Sequence, residues 1–356
     1  MRSQLVRTAL ATLAAAAAAA AIFAEGGTSL GDPARPGLAG VPDPSRSEPY
    51  RLFPRAYRTD AAPAASASAV SAEAPATLYV PDEAEYAARE AAARALAQRV
   101  PVLANFDILS FYGHPSSKRM GILGEYSKDQ LATLLSGYAQ LFDAANGDRD
   151  VIPAFHLIYG TCWPEGEIGY LSSRTVEEYV RFAEERGMLV FLDHQIGKYT
   201  VEESVRRLLP YLRYPNVHLA LDPEWRTLSP MKEIGSVTAA EINRAQELMQ
   251  AYLTEHGLPG VRILVFHQFT EKMIQDRSRV RADFDRVLPV HVMDGFGHPA
   301  LKRNSYALNA RAANLPLKGF KLFFKSGYPG AGFDEPLMTP QEVLGLVPAP
   351  VLIMYQ

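Results

Sequence analysis

Eight short apolar runs, separated by amphipathic stretches that open with helix caps, constrain this chain more than any other feature. The runs are Val102–Tyr112, Val151–Tyr159, Leu189–Gln195, Val217–Glu224, Arg262–Phe269, Pro289–Asp294, Gly319–Lys325 and Val351–Tyr355. A strand wetted on one face alternates apolar and polar residues, whereas a strand buried on both faces reads as a nearly continuous apolar run. Between the runs, Thr175 with Glu178, Thr200 with Glu203, and Thr238 with Glu241 have capping-box spacing. Thr339 precedes Pro340 at a first helical position, with Glu342 beyond it. Eight such strand–helix units predict an α/β fold, a closed (β/α)8 TIM barrel over residues 81–356, in which the last run pairs with the first. The competing open, doubly wound sheet wants a glycine-rich phosphate turn after its first strand, and Phe111-Tyr112-Gly113-His114-Pro115 is not one.

The chain upstream has a different character. Arg2 and Arg7 precede an uncharged, alanine-rich stretch from Thr8 to Phe23, and Ala24 closes it before Glu25-Gly26-Gly27. This pattern predicts a secretory signal over 1–24. An uncleaved anchor is the alternative, although the stretch is shorter than the roughly 20 residues a spanning helix needs. Residues 25–80 are rich in Pro, Ala, Ser and Gly, with Pro33, Pro36, Pro42, Pro44, Pro49, Pro54, Pro63 and Pro75 breaking any periodicity. They read as a disordered linker. A secreted or envelope-associated bacterial protein is the expectation. With 36 basic against 39 acidic residues there is no electrostatic case for nucleic acid. A single cysteine, Cys162, excludes an internal disulfide and a cysteine-based zinc site.

A barrel of this kind carries its chemistry at the C-terminal ends of its strands. The runs end in Tyr112 and His114, in Tyr159 after His156, in Asp193-His194-Gln195, in Asp222-Pro223-Glu224-Trp225, in His267-Gln268, in Asp294, in Lys325 and in Tyr355-Gln356. Gathering so many polar groups at one mouth is costly unless they bind or react. Asp222 and Glu224 are the sharpest pair. As residues i and i+2 of a strand they continue the row of His218 and Ala220 and point to one side, about 6.5–7 Å apart. Two carboxyl groups in a concave, partly apolar site repel, so that one keeps its proton near neutrality and an acid sits beside an anion. Asp294 opens a glycine turn and is placed to assist. Asp193 and Gln195 repeat the i, i+2 spacing one strand earlier. Trp225, Tyr112 and Tyr159 suit sugar stacking, while His267, Gln268 and Lys325 complete the expected substrate-binding set. Histidines such as His156, His194 and His267 are more often hydrogen-bonded wall residues than ligands.

Phe106-Asp107-Ile108-Leu109-Ser110-Phe111-Tyr112-Gly113, Asp222-Pro223-Glu224 and Asp294 together resemble the family 25 glycoside hydrolases, the lysozyme-type muramidases. Those enzymes carry an aspartate on strand 1 in a D-x-S-x-Y/W-x-G setting, D-x-E on strand 4 and a further aspartate on strand 6. One extra residue separates Asp107 from Ser110 here, so Asp107 is left out of the expected site. Strand 4 and the Met293-Asp294 pair are also distantly similar to the family 18 chitinases, without their longer acidic run or their Ser-x-Gly-Gly.

These readings converge on a monomeric, exported hydrolase of a cell-wall or envelope glycan that uses no cofactor. Glu224 is the expected general acid, with Asp222 stabilising developing positive charge and Asp294 assisting. Two other classes stay open. One is a metal-dependent barrel hydrolase drawing on His156, Asp193, Asp222, Glu224, His267 and Asp294. The other is a glycan-binding envelope protein without turnover.

Overall fold

A computed structural model describes residues 82–97, 103, 106–328 and 331–356. The signal segment and linker expected over 1–80 lie outside the described residues. Eight parallel strands close into a barrel: β1 (Phe106–Gly113), β2 (Asp150–Cys162), β4 (Leu189–His194), β5 (Val217–Leu221), β7 (Arg262–Gln268), β9 (Val287–Met293), β10 (Lys318–Leu322) and β11 (Leu352–Tyr355). Each pairs with the next, and β11 returns to β1 with Ile108 opposite Leu352 and Phe111 opposite Tyr355. The expected pairing of the last run with the first is therefore present. Strand β3 (Ile168–Tyr170) folds back antiparallel on β2, and β6 (Val237–Thr238) pairs with β8 (Ile274–Gln275) outside the barrel.

Helices fill the crossovers: α2 (Lys128–Asp143), α3 (Ser173–Glu184), α4 (Val201–Leu208), α5 (Ala239–Glu255), α6 (Pro299–Ala310) and α7 (Pro340–Leu344), with α1 (Glu83–Ala97) ahead of the first strand. Thr200, Thr238 and Thr339 cap α4, α5 and α7 through the expected glutamates. At α3 the cap is Ser172 rather than Thr175: the Ser172 hydroxyl accepts from the Thr175 backbone N–H, which starts the helix one turn earlier.

Strand alternation sorts the interior into two layers. Ile108, Tyr112, Ala154, Ile158, Phe191, Ala220, Ile263, Val265, Val290 and Met354 fill the barrel. Phe111, Phe155, Leu192, Leu219, Phe266, Phe320 and Tyr355 face the helices. At the N-terminal end of the strands, Arg149 pairs with Asp107 at 2.8 Å and donates to the carbonyls of Leu103 and Phe106. Leu103 is fully buried in the inner layer there. That end is plugged, and the opposite end holds the polar groups.

Candidate active site

The inward rows of six strands carry a polar residue toward the C-terminal mouth. Tyr112, His156, Asp193, Asp222, His267 and Asp294 follow Ser110, Ala154, Phe191, Ala220, Val265 and Val292 at strand spacing, and all are buried. His267 lies between two carboxylates, its Nε2 3.2 Å from Asp193 and its Nδ1 3.2 Å from Asp294. Lys321 reaches Asp294 at 3.1 Å and lies 3.8 Å from the centre of the Tyr112 ring. Asp193, His267, Asp294 and Lys321 thus alternate in charge. Burial alone would lower the pKa of His267, but its two carboxylates override that and raise it to about 10. Burial likewise works to raise Asp193 and Asp294, and their cationic neighbours, His267 for the first and Lys321 with His267 for the second, hold both below the usual carboxylate range. His156 stacks on Phe191 and is pushed down to about 3, chiefly by burial.

Asp222 and Glu224 stand apart from this chain of pairs. Burial, with Asp193 and Asp294 adding to it, raises Asp222 to about 7. Glu224 is half-buried, and loss of water around it, then the charge of Asp222, raise it to about 8. The local structure differs from the extended strand expected through Glu224. Pro223 has no N–H for the ladder, so β5 stops at Leu221 and a 3-10 turn, Pro223–Trp225, follows. The Asp222 carboxylate caps that turn by accepting from the Glu224 N–H at 3.3 Å. The turn, not strand parity, delivers Glu224 to the same charged surroundings as Asp222. Gly235 fixes its backbone from below: the Gly235 N–H donates to the Glu224 carbonyl at 2.6 Å.

Several expected contributors have other tasks. Gln268 faces the helices, where its carbonyl oxygen accepts from Arg277 and lies 2.7 Å from His291, because it is one residue out of phase with His267. Tyr159 is also on the outer face, packed with Tyr211 and Tyr170. Gln195 accepts from the Cys162 N–H and ties β2 to the turn after β4. Lys325 lies beyond the end of β10 and pairs with Glu335 in a half-exposed position. The cation of the mouth is Lys321, which sequence reasoning missed. Lys321 shares parity with Gly319, and extending the strand to Lys325 hid it. Trp225, the last residue of the turn, is half-buried. Asp107, the strand 1 aspartate of the muramidase-like motif, sits in the plug at the opposite end.

The rim is apolar. Among the described residues the exposed large hydrophobic side chains are Trp163, Tyr170, Leu228, Phe296 and Leu301. All five lie on segments that follow the C-terminal ends of β2, β5 or β9.

No family model matches the chain, and no curated protein matches it. Similar solved structures include oxaloacetate acetylhydrolase, at 12% identity and TM-score 0.43, covering 75% of this chain and 80% of that one. GH26C from Muricauda sp. is 12% identical with TM-score 0.36, covering 76% and 82% of the two chains. A GH138 enzyme targeting pectin rhamnogalacturonan II is 9% identical with TM-score 0.35, covering 70% of this chain and 34% of that one. Likenesses at this level carry no argument about what this barrel does.

Proposed function

We propose that this protein is an exported glycan hydrolase of the cell wall or envelope, working by carboxyl acid/base catalysis at the barrel mouth. One observation carries the reading: a single turn presents Asp222 and Glu224 together, and both hold their protons into the neutral range beside an ion-paired floor. Glycosidic cleavage needs an acid for the leaving oxygen and an anion that supports the oxocarbenium-like transition state or attacks it. Glu224, with the higher pKa, is the acid. Asp222, which ionises first, is the anion. Asp294 stays ionised through Lys321 and His267 and adds negative potential below them. The exposed rim of Trp163, Tyr170 and Phe296 supplies flat apolar faces against which pyranose rings stack. Export rests on the charged, alanine-rich N-terminus.

The test incubates the full-length mature protein and its Glu224→Gln variant with a panel of wall glycans and follows products by mass. The reading expects fragments from the wild type and at least a ~10²-fold slower release from the variant. Equal release by the two forms overturns Glu224 as the acid. Binding with no release by either favours a glycan-binding protein.

A further inference from the structure

His156 poses a question that the acid/base reading does not answer. It is fully buried, and neither ring nitrogen has a hydrogen-bond partner. Phe191 holds the ring flat, 5.1 Å between centroids and 11° between planes. Its Nε2 lies 3.7 Å from Asp193 Oδ2, too far for a hydrogen bond and too close to be incidental. The same Oδ2 is 3.2 Å from His267 Nε2. The three atoms lie within 4.8 Å of one another.

We propose that His156, Asp193 and His267 form a binding site for one divalent transition-metal ion, zinc or an ion of similar preference, beneath the carboxyl pair. Zinc binds imidazole nitrogen and carboxylate oxygen at about 2.0–2.2 Å, and tetrahedral angles then set neighbouring ligand atoms about 3.4 Å apart. The observed separations of 3.2 and 3.7 Å bracket that value. The surroundings match a metal site as well. A ligating histidine usually donates its other N–H to a carboxylate, which fixes the ring and the free lone pair. His267 Nδ1 lies 3.2 Å from Asp294, in reach of such a contact, while its Nε2 hydrogen-bonds Asp193 at 3.2 Å and would give up that proton to the ion. Without the ion His267 carries a proton on Nε2 toward Asp193, so the cation takes the place of that proton and its binding releases it. The cation also gives the stranded Nε2 of His156 its partner. The donor set, two imidazoles and one carboxylate with no thiolate, suits zinc or cobalt over calcium or magnesium.

The site goes beyond the proposed hydrolysis, and each reading can fail without the other, because metal is read here by binding and not by turnover. The experiment strips the full-length protein with chelator, then titrates Zn²⁺ by calorimetry and Co²⁺ by visible absorption, with thermal unfolding run alongside. The expected result is one equivalent bound, a raised midpoint, and a cobalt spectrum of tetrahedral N/O type without a thiolate charge-transfer band. His156→Gln and Asp193→Asn should each weaken binding at least tenfold. If either variant fails to fold, the stoichiometry and spectrum of the wild type decide alone. No zinc uptake by the wild type, a thiolate band from Cys162, or unchanged affinity in folded variants overturns the site.

Discussion

Asp222 and Glu224 owe their retained protons to the burial that sets them in the mouth, and that fixes a pH window for the chemistry. With Asp222 near 7 and Glu224 near 8, the form with an ionised aspartate and a protonated glutamate is most abundant between those values. The pH dependence of kcat/KM on a cleaved glycan should be a bell with its maximum in that interval. Asp222→Asn removes the negative neighbour that helps to hold the Glu224 proton, so the high-pH limb of any residual activity should move to lower pH. Lys321 offers a separate test. Replacing it by methionine leaves the buried Asp294 carboxylate without its lysine, and loss of one partner from such a pair costs about 3 kcal/mol. Urea unfolding of Lys321→Met should show a loss near that size, and an unchanged midpoint would mean that the ion pair contributes nothing. Residue by residue, the inward polar row was legible wherever a strand keeps its phase up to its end, as at Asp193, His267 and Asp294. It was misread where a strand stops early. Lys321 was overlooked for Lys325 because β10 ends at Leu322, and Gln268 and Tyr159 were included because adjacency at a strand end says nothing about which face a residue takes.

At the scale of elements, the exit from β5 is the most exacting piece of construction. Pro223 breaks the ladder, Asp222 caps the turn, and the returning chain packs Gly235 against it. A Cβ on Gly235 would lie 2.5 Å from the Arg226 nitrogen and 2.6 Å from the Glu224 oxygen, all backbone atoms with little freedom to retreat. Gly235→Ala should therefore push the turn outward and lower kcat by roughly 10- to 100-fold, the scale expected for an ångström-sized misplacement of a catalytic group. Steady-state kinetics together with circular dichroism would check it: a normal fold with full kcat would show that the turn tolerates the shift. A comparable brace lies across the barrel. Buried Lys302 of α6 pairs with Asp334 at 2.9 Å and donates to the carbonyls of Gly295 and Lys321, fastening the segments that present Asp294 and Lys321. The eight strands were legible because double-sided burial leaves apolar runs that little else produces. The turn after β5 was not, since Asp-Pro-Glu reads as strand until the missing N–H is counted. Nor was the Lys302 brace, because a lysine in a helix is usually a solvated one.

For the molecule as a whole, the raised carboxyl groups tie stability to pH. Unfolded, glutamate and aspartate titrate near 4.3 and 3.9; folded, Glu224 and Asp222 titrate near 8 and 7. Between these limits the native state binds more protons than the unfolded chain. The two groups' contribution is thus fully present below about pH 4 and is lost as pH rises through 7 and 8. The double variant D222N/E224Q has no proton to lose there. Its melting temperature should fall less than that of the wild type between about pH 5 and about pH 9, and identical slopes would show that the pair titrates normally. The closed barrel was readable from the chain because eight strands buried on both faces leave no exposed sheet edge. Its interior charge pattern was not, since the chain Asp193–His267–Asp294–Lys321 joins four different strand ends, and no local window of sequence contains more than one of them.

The plugged end has a practical consequence. Leu103 and the Asp107–Arg149 pair mark where the chain enters the barrel, on the face opposite Asp222 and Glu224. Gln356, by contrast, lies at the mouth, where its N–H donates to the Leu322 carbonyl and its own carbonyl accepts from Phe324. A carrier, bead or fusion partner joined upstream of β1 enters on the blind side and leaves the opening facing outward. The same cargo joined directly after Gln356 starts beside the opening and crowds it. Immobilisation through the front of the chain is therefore the arrangement that leaves the mouth of this barrel open to solvent.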